Sequence, residues 1–145
     1  MRALPVSARS PAPVLAALLA LATLLALPAH SETRMTADEF EAYATGKTLT
    51  YGENGRVYGV EQYLPNRRVR WAFVDDTCRL GHWYDNGGDE ICFVYEHDAT
   101  PQCWTFHKGP GGLRARFTNI PDSTELSEVQ QTDEPLACTG PDVGV

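Results

Sequence analysis

The chain has 145 residues, with 19 acidic against 12 basic side chains, a net charge of −7 at neutral pH, four cysteines and 43% hydrophobic residues. This is enough for one domain with one modest core. An acidic surface repels phosphate backbones and anionic lipid headgroups, which disfavours nucleic acid and charged membranes as partners.

The first segment reads as an export leader. Arg2 and Arg9 form a basic start, Val14 to Leu27 is an almost unbroken Ala/Leu run, and small residues at Ala29 and Ser31 suit cleavage after either one. The apolar run falls short of the roughly 20 residues of a membrane-spanning helix. No cysteine stands at the cleavage region for lipid attachment, and the two arginines are not adjacent. Removing residues 1–31 leaves ten basic against nineteen acidic residues, a net charge of −9. The expected location is the periplasm or the exterior.

Residues 35–46 carry a short helix signature. Thr36 is a good N-cap with Glu39 three residues on, a capping box, and Gly46 suits a left-handed ending. Phe40 and Tyr43 share a face and predict a helix that plugs one end of a sheet, with Met35 stapled to Phe40.

From Lys47 the hydrophobic period switches to two. Strands are predicted over 48–51, 56–64, 67–74, 78–84, 90–96, 102–107 and 113–118. They are separated by turn residues such as Asn54-Gly55, Pro65-Asn66 and Asn86-Gly87-Gly88. Seven short strands at such spacing make an all-β fold, a single antiparallel meander forming a small barrel or half-barrel. Parity puts Val69, Trp71 and Phe73 on one face, with Ile91, Phe93, Tyr95, Trp104 and Phe106 aligned likewise. That one-sided aromatic set reads as a core that fills the barrel and leaves no room for a ligand. Residues 120–145, rich in Pro, Asp, Glu and Thr, read as an irregular acidic tail after a β domain at 32–119.

Cys78, Cys92, Cys103 and Cys138 all follow the leader, and an even number of cysteines in an exported chain implies two disulfides with three possible connectivities. If Cys92 and Cys103 face each other across a hairpin centred on His97-Asp98, Cys78 and Cys138 remain, and the second bridge ties the tail back to the sheet. No Cys-x-x-Cys spacing supports a metal site, and no cofactor is expected.

The candidate ligand-binding residues are Arg68 and Arg70 with Arg114 and Arg116. Each pair lies on the polar face of its strand, and strand closure could gather four guanidiniums for a carboxylate or phosphate; the bland reading is pairing with surface acids. The histidines His82, His97 and His107 lack metal-ligand spacing. Asp85, Asp89 and Glu90 surround one turn but lack the register of a calcium loop. Ser123 and Ser127 lie in the tail without a nucleophile motif, and Asp75-Asp76 sit in a turn where proximity in sequence alone makes no dyad, so no catalytic residues emerge.

The motifs Gly81-His82-Trp83, Glu90-Ile91-Cys92-Phe93-Val94-Tyr95 and Cys103-Trp104, with Tyr51, Asn54-Gly55 and Tyr58-Gly59 upstream, resemble a family of small secreted proteobacterial proteins of unknown function. The resemblance covers about residues 36–118. It implies a lipocalin-like β fold and export, and assigns no residue a role.

Three functions follow as expectations. The first is an exported monomeric binding or interaction module for a small anion or a protein partner. The second is a metal- or acid/base-dependent enzyme using His82, His107 and nearby carboxylates. The third is a structural or envelope-stress protein without a small ligand.

Overall fold

The computed structural model describes residues 32–74 and 77–138, so the expected leader and the Asp75-Asp76 turn lie outside the described residues. Among the described residues no helix is long and apolar enough to cross a membrane. The elements in chain order are β1 (Thr33–Arg34), α1 (Ala37–Ala44), β2 (Thr48–Glu53), β3 (Arg56–Leu64), β4 (Arg68–Phe73), β5 (Arg79–Gly87), β6 (Glu90–Tyr95), β7 (Asp98–Gly109), β8 (Gly112–Phe117) and β9 (Glu125–Thr132). Strands β2 to β9 pair antiparallel with their sequence neighbours, and β9 returns to pair with β2. The meander is therefore a closed eight-stranded barrel, with β1 added beside β7. Closure removes the exposed sheet edges that a half-barrel would leave.

The seven predicted strands are β2 to β8. The eighth, β9, corrects the reading of residues 120–145 as irregular. Leu126 and Glu128 face inward while Val129 is exposed, so this strand shows no apolar alternation to read. Its inward carboxylate is used structurally. Glu128 accepts hydrogen bonds from the Tyr43 hydroxyl at 2.8 Å and the Leu113 backbone N–H at 2.9 Å, which joins helix, β8 and β9.

Helix α1 starts as predicted. Thr36 caps it, its side-chain oxygen accepting from the Glu39 N–H at 3.2 Å while the Glu39 carboxylate accepts from the Thr36 N–H at 2.8 Å. Gly46 adopts φ +86°, the left-handed conformation that costs glycine least. Phe40 is fully buried. Its ring meets Tyr63, Trp83 and Phe106 at centroid distances of 5.4, 5.3 and 4.2 Å, closing one end of the barrel. Thr36→Ala should destabilise the protein by about 1 kcal/mol through the lost cap, measurable as a lower denaturant midpoint with an unchanged slope; no shift in the midpoint would mean the helix is held by Phe40 alone.

Both disulfides form in the pairing that parity favoured. Cys92 and Cys103 are directly opposed partners of β6 and β7. Cys78 bonds Cys138 across a separation of 60 residues. After β9 the chain crosses the outside of the barrel. The Thr48 hydroxyl donates to the Glu134 carbonyl and the Leu136 N–H to the Gln62 side chain, before Cys138 reaches the start of β5.

Candidate functional site

The interior is not filled by its own side chains. A cavity of about 220 Å³ lies inside the barrel on the side of Phe40 away from the helix. Its walls are aromatic, with Tyr58 and Trp71 on one side and Phe93, Trp104 and Phe106 on the other. Space is left where an inward position carries little, as at the small Ala115 on β8. A Cβ at Gly59 would stand 2.3 Å from the Trp71 ring, so the missing side chain lets that ring approach the β3 backbone. The cavity corrects the expectation of a filled barrel. Its volume depends on how large and small inward residues of different strands oppose one another, which strand-by-strand parity does not reveal.

One ionisable group lies deep in this space. In β3 the alternation that turns Gly59 and Tyr63 inward also turns Glu61 inward, opposite Trp71 on β4 and Leu49 on β2. Glu61 is 3% exposed and lines the cavity. The Tyr95 hydroxyl donates to its carboxyl, 2.9 Å from Oε2 and 3.3 Å from Oε1. Burial pushes the Glu61 carboxyl up to about 8, opposed in part by the Tyr95 hydrogen bond. Beside it the Tyr51 and Tyr63 hydroxyls share a hydrogen bond of 2.8 Å. Burial first, then the proximity of Tyr51 and Glu61, raises Tyr63; burial and then Glu61 raise Tyr95, so both stay neutral phenols.

The end opposite the helix carries a polar rim. Arg79, His97 and Asp98 line the cavity there, His97 and Asp98 being exposed. The Arg79 Nη1 lies 2.7 Å from His97 Nε2, and its guanidinium stands over the Phe73 ring at 5.4 Å. A molecule entering from this end passes a charged and aromatic rim before reaching Glu61.

The residues singled out from the sequence lie elsewhere. Arg68 and Arg70 are on β4, and Arg114 and Arg116 are on β8, with three strands between β4 and β8 in either direction round the barrel. Strand closure thus sets the two pairs on opposite outer walls, and the four guanidiniums do not share a surface. Arg114 pairs with Glu32 at 2.8 Å and Glu125 at 3.3 Å, and Arg116 pairs with Glu125. These are surface ion pairs, worth little each.

His82 and His107 are not brought together either. His82 is exposed on β5 between Arg68 and Val94, whereas His107 lies two strands away on β7 between Arg34 and Arg114. Burial, then Arg116 and Arg34, lowers the His107 imidazole. Asp85 and Glu90 serve their turn, accepting from the Gly87 N–H and the Asn86 amide, while Gly87, Gly88 and Asp89 take positive φ. Among the described residues, Glu90, Cys92 and Cys103 bring potential metal-ligand atoms within 4.8 Å of one another, but both sulfurs are tied in the disulfide.

Sequence reasoning missed Glu61. The signal was present in β3, where Gly59, Glu61 and Tyr63 alternate with Val60 and Gln62: an acid stands on the face that also carries a core tyrosine. Comparison with protein-family models, with curated proteins and with solved structures finds no match to this chain.

Proposed function

We propose that this chain is an exported binding protein that holds a small organic ligand inside its barrel, admitted at the end opposite helix α1. The observation that carries this reading is the aromatic cavity with the buried Glu61 carboxyl on its wall. Packing alone does not account for that carboxyl, because Tyr95 is its one hydrogen-bond partner among the described residues and burying its ionised form costs stability. Concave, mostly aromatic spaces with a few convergent polar groups are the usual form of small-ligand sites. At the packing density of organic crystals this space holds roughly ten non-hydrogen atoms. The two disulfides support export, since such bonds persist in oxidising compartments. In this reading the small anion expected at the four arginines is replaced by a ligand in the interior.

Three tryptophans make the test direct. Trp71 and Trp104 line the cavity, while Trp83 packs against Phe40 at the closed end. Titrating the 15N-labelled protein with the uncharged probe 2-phenylethanol should shift the indole N–H resonances of Trp71 and Trp104 and leave Trp83 in place. Equal movement of all three, or none at millimolar probe, would refute an interior site and favour a protein without a small ligand.

A further inference from the structure

The cavity lining is chemically one-sided. Its walls carry tyrosine, tryptophan and phenylalanine rings, and its deeply buried carboxyl belongs to Glu61. Among the described residues the hydrogen bonds to the Glu61 carboxyl come from Tyr95 alone, and no Lys or Arg pairs with it. The basic groups of the cavity, Arg79 and His97, sit at the rim and contact each other. Among the described residues the buried acid has no cation of the protein beside it to favour its ionised form.

We propose that the ligand is a small organic cation of the arylalkylamine type, its ammonium group seated on the Glu61 carboxylate and its apolar body among Tyr58, Trp71, Phe93 and Trp104. This rests on the binding reading above and names its ligand class. Each part of such a molecule meets matching chemistry. The ammonium finds a charge-assisted hydrogen bond and ring faces that attract cations. The aryl group fills a space of suitable size for a ring and a two-carbon arm. An anion would meet Glu61 directly, and a neutral molecule would leave the acid without a charged partner.

Proton linkage gives the proposal a second signature. In the empty protein burial holds Glu61 up to about 8, so at pH 7 it is mostly protonated. Seating an ammonium requires the carboxylate, and its proton leaves to solvent. The other ionisable groups facing this space are Tyr51 on β2, Tyr58 and Tyr63 on β3, and Tyr95 on β6, all phenols raised by burial. Arg79, His97 and Asp98 stand at the rim, and Glu128 below is held by Tyr43 and Leu113.

The test is calorimetric titration of the oxidised protein and its Glu61→Gln variant with three near-isosteric probes: 2-phenylethylamine, 2-phenylethanol and 3-phenylpropanoate. At pH 8.5 the native protein should bind the amine at least about tenfold more tightly than the alcohol and the acid most weakly. At pH 7, buffers of different ionisation enthalpy should show about one proton released per amine bound and none per alcohol. Glu61→Gln should bind amine and alcohol alike without proton release; its alcohol affinity reports that the cavity is intact, and charge at the rim is common to both proteins.

Equal amine and alcohol binding by the native protein would overturn the cation inference while leaving the interior site standing. So would tightest binding of the acid, or an amine preference that survives in Glu61→Gln. Binding of no probe would overturn the inference and the interior site together.

Discussion

Replacing Glu61 by Gln is expected to stabilise the protein at pH 9 by up to about 5 kcal/mol and to change it little near pH 4.5. Below the ordinary glutamate value of 4.5, the carboxyl is protonated in both folded and unfolded chains. Between there and about 8 the folded protein keeps a proton that the unfolded chain has released. Stability from this group is therefore fully present at low pH and falls by about 1.4 kcal/mol per pH unit as pH rises through that window. Above it both states are ionised and the loss levels off. Gln keeps the shape and an acceptor for the Tyr95 hydroxyl without the charge. Denaturant unfolding of both proteins from pH 4 to 9 separates this effect from surface carboxylates, which are common to the two. A flat difference between the two curves would mean that Glu61 is solvated and the cavity wet enough to hold its charge.

Phe40→Ala should cost about 4 kcal/mol, the range for truncating a fully buried aromatic. Phe40 has no exposed surface and its ring touches residues from β3, β5 and β7. No other side chain of α1 enters the barrel axis so deeply; Ala37 and Ala44 add little area. Against the 5–15 kcal/mol total typical of a small domain, the loss should bring unfolding close to ordinary temperatures. It is measured as a fall in the urea midpoint. A loss below about 1 kcal/mol would show that the barrel closes without its plug.

The two large effects have opposite origins. Phe40 is a core residue whose removal weakens the fold. Glu61 weakens the fold as rising pH forces its buried carboxyl to ionise. The disulfides offset such a cost at two levels of the barrel. One joins β6 to β7 opposite Tyr84, beside Trp83 of the closed end, and the other fastens the strap from β9 to the start of β5, next to Arg79. A site held rigid before the ligand arrives loses less entropy on binding.

Much of this architecture was legible in the chain. The capping box at Thr36 and Glu39, the turn at Asn54-Gly55, the period-two runs and the cysteine parity are local patterns. They depend on backbone dihedrals and on side chains a few residues apart, so they survive in a one-dimensional reading. Strand β9 was hidden because its inward positions mix Leu126 with Glu128, and only the partners Tyr43 and Leu113 make that carboxylate an interior residue. The arginine pairs looked ready to converge because each lies on the polar face of its strand; closure at eight strands put them on opposite walls. Sequence alone determined a disulfide-bonded antiparallel meander with a helical plug. The tertiary structure decided that the barrel closes, that a cavity of about 220 Å³ survives inside it, and that Glu61 faces that cavity. The reason is physical: faces and turns follow from local sterics, whereas volume and charge in an interior are set by residues from every strand at once.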